Sequence, residues 1–196
     1  MMFRFKVGDK LVCGGFSVKS IPKIPVVGMS SRSKSGLHVL FLDYDFVVWD
    51  VVQADLEKLS IYCSHFFILQ SDRKVTDKVV FGSYHIVCLD LFTFKQILEL
   101  HKLSHADQSF KDLAKVSGYR EWVLRVGKKG KRNAPFFLKF VNTELISDKK
   151  QSYEHFVLLC KLYSEVDDIN FDWDFDRKND KVVHSFTLYN TLKERH

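Results

Sequence analysis

The sequence predicts an α+β fold, in which a mixed sheet is flanked by helices. Short apolar runs bounded by turn residues are typical of buried strands, and residues 37–42 are the clearest example. Longer segments with apolar residues at helical spacing, such as residues 152–163, predict amphipathic helices. The two kinds of segment alternate irregularly along the 196 residues, which fits an α+β fold or an α/β fold with an antiparallel portion.

Turn residues and apolar periodicity place the elements along the chain. Residues 19–36 contain two prolines and a run of Ser, Gly and Lys, so we expect a surface loop there. Residues 71–78 are expected to form a charged turn. The predicted strands span residues 37–42, 65–69, 79–89, 122–126, 135–141, 169–175 and 182–188. The predicted helices are residues 52–60, a segment capped by Thr93, a segment capped by Ser104 that stops at Gly118, and residues 152–163.

Two of these predictions depend on particular patterns. Residues 169–175 alternate apolar Ile, Phe and Trp with Asn and Asp, and this period of two predicts a half-buried strand. Residues 122–126 and 135–141 flank a basic run at residues 128–133, so we expect a hairpin with that run at its tip.

Composition predicts one domain over residues 1–196, with a basic segment and loop at 1–36 and the core at 37–196. The net charge of +6 is concentrated at the start, because residues 1–40 hold seven Lys or Arg and one Asp. Such an excess favours a polyanionic partner. The four cysteines form no CxxC pair, and no window is apolar enough for a signal peptide or a membrane span. We therefore expect free thiols, a cytoplasmic location and no membrane partner.

The tripeptide Asp43-Tyr44-Asp45 ends the first buried strand. Side chains at positions i and i+2 of a strand share a face, so both carboxylates are expected on one surface. Close carboxylates repel each other unless a cation neutralises them, and hard ions such as Mg²⁺ are held by carboxylates together with substrate phosphates. The alternative is a solvated strand end with two ordinary acids.

Three further polar residues stand out. Ser83 and His85 share a face of the apolar strand 79–89, where a histidine either donates to a phosphate or has a structural role. Asp107 falls in the first turn of a predicted helix, where the helix dipole favours an acid.

The order of these motifs resembles the archaeo-eukaryotic primase superfamily, in its small catalytic-domain type. The family's motifs hhhDxD/E, SxH and hD correspond to residues 40–45, 83–85 and 106–107, and YREWVLRVGKK resembles a W-x-L-R-h-x-x-K stretch of small members. The resemblance spans residues 37–130 and implies an RRM-like catalytic core. Asp90 and Asp112 are alternatives for the third carboxylate.

The resemblance implies a DNA primase or primase-polymerase that transfers nucleotides by a two-metal mechanism. Asp43, Asp45 and Asp107 would hold Mg²⁺ or Mn²⁺, and His85, with Ser83, would contact the triphosphate. We infer that Arg125 and Lys128 add charge for the triphosphate or template. The expected nucleic-acid contacts are Arg32, Lys34, Lys129, Lys131 and Arg132.

The implied partners are a single-stranded DNA template and NTP or dNTP substrates. A helicase or replication protein would be separate, because the chain has no P-loop motif. Two alternatives stay open. One is a haloacid-dehalogenase-like phosphohydrolase, which also begins with a buried strand and DxD. The other is an inactive primase-like module that binds nucleic acid without metal chemistry.

Overall fold

The computed structural model describes residues 4–7, 10–13, 17–20, 26–116, 120–129, 133–145, 148–176 and 187–189. The strands are β1 (Arg4–Val7), β2 (Lys10–Cys13), β3 (Ser17–Ser20), β4 (Val26–Ser30), β5 (His38–Val48), β6 (His65–Thr76), β7 (Val79–Phe92), β8 (Val123–Arg125), β9 (Phe136–Asn142) and β10 (Thr187–Tyr189). The helices are α1 (Trp49–Leu59), α2 (Phe94–Lys102), α3 (Gln108–Val116) and α4 (Tyr153–Leu162), followed by a 3₁₀ turn at Ser164–Val166. Helices together with sheets confirm the predicted α+β class.

The central sheet has the strand order β5-β7-β6-β9. Helix α1 connects β5 to β6, and β7 lies between these two strands, which is a split β-α-β arrangement. Strand β9 joins at the outer edge of β6. All three ladders of this sheet are antiparallel, so the predicted mixed sheet is wrong. The RRM-like character of the core stays a prediction.

Both faces of the central sheet are covered, which explains the unbroken apolar runs in the sequence. Every residue of 39–42, 66–69 and 86–89 is at most 1% exposed. On one face, Tyr44 reaches Asp55 of α1. On the other face, the Phe41 ring meets His155 of α4, with centroids 6.3 Å apart.

Helices α2 and α3 begin at different kinds of cap. The Thr93 hydroxyl accepts the Gln96 N–H at 3.3 Å, and the Gln96 side chain accepts the Thr93 N–H at 2.8 Å. This capping box confirms the Thr93 prediction. The prediction for Ser104 is wrong, because its hydroxyl donates to the His101 carbonyl while the Asp107 carboxylate accepts the Phe110 N–H.

The predicted hairpin of residues 122–126 and 135–141 is wrong. Strand β8 pairs with β4, and β9 pairs with β6 of the central sheet. The apolar run Val26–Met29 is therefore a strand, although two upstream prolines predicted a loop. Gly28 permits the pairing, because a Cβ there would lie 2.5 Å from the Val123 side chain.

The predicted charged turn at residues 71–78 is mostly strand. Strands β6 and β7 continue as a ribbon to the pairing of Thr76 with Val79. Only Asp77 and Lys78 form the turn, and their φ angles of 49° and 68° are those of a tight hairpin.

Residues 169–175 keep the predicted alternation without forming a ladder. Exposed polar residues alternate with partly buried Ile169, Phe171, Trp173 and Phe175. Trp173 stacks on Phe67 of the sheet, with centroids 6.0 Å apart. Among the described residues, the backbone of this segment forms one isolated β-bridge, between Phe175 and Gln151, and no continuous ladder. The strand prediction is therefore wrong. Aromatic packing against the sheet gives the segment its period of two.

Candidate active site

Asp43 on β5 and His85 on β7 are direct cross-strand partners. Such partners share a face of the sheet, and the His85 Nε2 atom lies 3.4 Å from Asp43 Oδ1. The Asp43 side chain is 18% exposed, whereas that of His85 is 4% exposed. The first two predicted motifs therefore meet where the buried interior of the sheet reaches solvent.

Asp45 lies two residues further along β5, next to a β-bulge. The register with β7 shifts between Tyr44 and Val47. Phe46, within the bulge, has φ of 52°, and its N–H donates to the Ser83 hydroxyl at 3.2 Å. Ser83 is 1% exposed, so one role of its hydroxyl is to hold the bulge. Asp45 is partly exposed.

Asp107 is hydrogen-bonded to Asp43 at the outer edge of β5. Three alternate residues of this edge strand have hydrogen-bond partners outside the sheet. The Ser31 carbonyl accepts the Val39 N–H, and His101 Nε2 donates to the Phe41 carbonyl. The Asp107 N–H donates to the Asp43 carbonyl at 2.7 Å. A sheet edge needs such partners because its backbone groups are otherwise unpaired. The third motif is thereby fixed beside the first, although 64 positions separate them in sequence.

The alternatives for the third carboxylate lie elsewhere. Asp90 is fully buried and accepts hydrogen bonds from Ser64 and Gln151. Asp112 lies on α3 and pairs with Lys115 at 2.8 Å. The backbone bond between Asp107 and Asp43 therefore favours Asp107 as the third member of the site.

A buried carboxylate, Asp55 of α1, joins the two segments that carry the acids. It accepts hydrogen bonds from the Tyr44 hydroxyl at 2.9 Å and from His105 Nδ1 at 2.8 Å, as well as from the His105 backbone N–H. Burial alone raises the pKa of Asp55, but these bonds outweigh it and hold the pKa below its usual range. Tyr44 stands between Asp43 and Asp45, and His105 stands two residues before Asp107.

Our sequence reading missed Asp55. The available signal was its position: Val52, Asp55, Leu56 and Leu59 form one apolar face of α1, and all four are buried. A single acid on an apolar helix face needs a buried partner.

The predicted cations that the structure describes lie outside the central sheet. Arg125 is on β8, and its guanidinium donates to the carbonyls of Gly127 and Asn133, each at 2.9 Å. It thus holds the loop in which Lys128 is exposed and Lys129 is partly buried. Lys131 and Arg132 lie outside the described residues.

Arg32 and Lys34 are exposed in the loop before β5. The Lys34 N–H donates to Glu154 of α4 at 2.8 Å. His38 at the start of β5 is five residues from Asp43, which is about 17 Å along an extended strand. A nucleic acid that contacts this loop and the carboxylates must therefore span several nucleotides.

Two donor sets are relevant to metal binding. Asp43, Asp45 and Asp107 offer oxygen atoms, which suit Mg²⁺ and Mn²⁺. The second set, His65, Cys88 and Asp90, is buried, with its ligand atoms within 4.8 Å of one another.

Hydrogen bonds determine which ring nitrogen of His65 carries the proton. His65 Nε2 accepts the Leu89 N–H at 2.9 Å, so Nδ1 carries the proton and donates to the Ser64 hydroxyl at 2.8 Å. Ser64 in turn donates to Asp90. Burial lowers the pKa of His65 to about 4, which keeps the ring neutral. A metal on Nδ1 would displace that proton, so we interpret this set as a network that joins β6 to β7.

Comparisons of the chain with protein-family models, curated proteins and solved structures found no match. Among the described residues, none of the helices combines the length and the apolar character needed to cross a membrane.

Proposed function

We propose that this protein is a primase-polymerase that transfers nucleotides on a single-stranded DNA template. One observation carries the proposal: three motifs from distant parts of the sequence converge on one strand. Asp43 is paired with His85, and its carbonyl accepts the Asp107 N–H. An ordinary solvated strand end has no reason to combine these contacts.

The donor set fits divalent cations. Asp43, Asp45 and Asp107 would hold Mg²⁺ or Mn²⁺. When bound, such ions activate a 3′-hydroxyl and stabilise a leaving pyrophosphate. The outer edge of β5 and the bulge keep the carboxylates in place before substrate arrives, which is the condition for efficient electrostatic catalysis.

The protein's own side chains would bind and orient the substrate. His85, which lies beside Asp43 in the sheet, would donate a hydrogen bond to a phosphate oxygen. Ser83 orients the bulge and, as the neighbour of His85 on the same face, is proposed to assist. Arg125 and Lys128 are proposed to attract the triphosphate.

A template-directed synthesis assay tests the proposal directly. Purified protein is incubated with single-stranded DNA, labelled NTPs or dNTPs, and Mg²⁺ or Mn²⁺. We expect metal-dependent, template-dependent product. Bound DNA without product would favour the inactive module, and release of phosphate from phosphomonoesters would favour the phosphohydrolase.

We expect His85→Gln to weaken nucleotide binding more than DNA binding. Glutamine keeps most of the side-chain volume but moves the donor away from the position of the ring nitrogen. A lost hydrogen bond to a charged group such as a phosphate costs about 1.5–3 kcal/mol, or about 10- to 150-fold in affinity. The measurements are the nucleotide KM and the DNA Kd. Equal losses in both would assign His85 a structural role instead.

Neutralising Lys128, Lys129, Lys131 and Arg132 together should flatten the salt dependence of DNA binding. Each lost phosphate contact on a single strand reduces the slope of log K against log salt by about 0.7. Four glutamine substitutions at exposed helix positions, Lys95, Lys102, Lys115 and Lys161, are the control. If the slope of log K against log salt changes equally in both variants, the DNA does not bind specifically at residues 128–132.

A further inference from the structure

The bulge after Asp45 holds an aromatic residue in an unfavourable backbone conformation. Phe46 has φ of 52°, in the left-handed region that bulky side chains rarely adopt. Its N–H is fixed by the buried Ser83 hydroxyl, and the β5–β7 register shifts at this point. Bulges of this kind occur beside active sites, where they redirect a side chain. Strain that persists in a native structure therefore calls for a functional explanation.

Packing does not compensate for this strain. Phe46 is 37% exposed, whereas Phe41, Leu42 and Tyr44 of the same strand are at most 1% exposed. Burial is the usual reason for a phenylalanine in a central sheet, since an exposed ring contributes little to stability. The bulge thus exposes an aromatic ring at the residue that directly follows Asp45.

We propose that Phe46 stacks on the base of the nucleotide whose phosphates occupy the Asp43–His85 site. The inference rests on the proposed function and adds the part of the site that binds the base. Aromatic side chains bind bases by stacking, and stacking tolerates any base because each has a π-face. Phe46 directly follows Asp45 and is three residues from Asp43, which is at most about 10 Å even for a fully extended strand. That spacing matches a single nucleotide bound at the carboxylates better than a distant base of the template.

Three substitutions separate stacking from strain. Phe46→Ala removes the ring and keeps the strained backbone. Phe46→Gly also removes the ring but adopts positive φ without strain, so its unfolding midpoint should exceed that of Phe46→Ala. Phe46→Trp keeps a stacking surface and adds a fluorophore. The matched control is Phe136, which is 53% exposed on β9 at the far edge of the sheet, with the same substitutions to Ala and Trp.

We expect both ring-removing variants to raise the nucleotide KM roughly 5- to 150-fold, the range for loss of one base stack. Phe46→Trp should retain affinity, and ATP should quench its fluorescence relative to wild type and Phe136→Trp. Tripolyphosphate, which has no base, should bind without quenching. DNA affinity should be nearly unchanged in every variant.

The outcomes separate this inference from the proposed function. Quenching by ATP without DNA synthesis would support the base site and contradict the polymerase. Synthesis with unchanged KM in Phe46→Ala and Phe46→Gly would overturn the base site alone. A loss of DNA affinity with unchanged nucleotide KM would overturn it as well, and would assign the ring to the template. No quenching and no synthesis would overturn both.

Discussion

Replacing Asp43 and Asp45 together by asparagine should lower template-directed synthesis by about 10³-fold or more. Asp43 and Asp45 are two residues apart on β5, and Asp43 lies 3.4 Å from His85. Asparagine keeps the shape but removes the charge that would hold the divalent cations. Metal stabilisation of the transition state contributes several kcal/mol, and each 1.4 kcal/mol is tenfold in rate. Product formation and Mn²⁺ binding, followed by electron paramagnetic resonance, are the two measurements.

The fold should survive this double substitution. Neither carboxylate belongs to the apolar core, so we expect the thermal midpoint to move by less than about 4 °C. The matched control is Asp72→Asn with Asp77→Asn, two acids on the β6–β7 ribbon. Synthesis that persists in the Asp43/Asp45 variant, or that is lost equally in the control, would contradict the metal assignment.

Asp55→Ala should destabilise the protein by about 2.5–6 kcal/mol, the sum of about 1–3 kcal/mol for an unsatisfied buried donor and about 1.5–3 kcal/mol for a lost hydrogen bond to a charged acceptor. The substitution leaves the buried Tyr44 hydroxyl and the His105 N–H without their acceptor. For a chain of this length the thermal midpoint should fall by about 5–24 °C. Tyr44→Phe removes only one of these bonds and should cost less. Asp112→Ala, which removes an exposed acid from α3, is the control and should change stability little.

The contribution of Asp55 should depend on pH in a defined direction. The folded-state pKa of this carboxyl is lowered below its unfolded value of about 3.9. Its stabilising effect is therefore fully present above that unfolded value and is lost as the pH falls through the folded pKa. Urea unfolding of wild type and Asp55→Ala at pH 7 and at pH 3 measures this. A difference between the two proteins that grows on acidification would contradict the assignment.

Asp55 also connects stability to the candidate site. Tyr44 and His105 flank the carboxylates in sequence, and both bond to the same buried acid. We therefore expect residual folded Asp55→Ala to bind Mn²⁺ more weakly than wild type at a temperature where both are folded. Unchanged Mn²⁺ affinity there would limit Asp55 to a stabilising role.

The candidate site was predictable in part. Period-two alternation in strands places Asp43 with Asp45, and Ser83 with His85, without any knowledge of partners. That Asp43 faces His85 depends on strand register, which the sequence leaves open because a shift by one residue would turn one motif to the other face. Asp107 was identified by resemblance alone, and its bond to Asp43 is an edge contact between segments with no local signal.

The sequence by itself determined the elements whose cause is local: the apolar strands β5, β6 and β7, the Thr93 capping box, and the presence of two carboxylates in β5. The predicted end of the strand at these carboxylates is wrong, because β5 continues to Val48. Local sterics and side-chain hydrogen bonds act within a few residues, so these features are present in any short window. Only the tertiary structure decided that β8 joins β4 while β9 joins β6, and that Asp55 links Tyr44 to His105. Those pairings depend on how much apolar surface distant segments remove from water when they pack together. This buried area is a property of the whole fold.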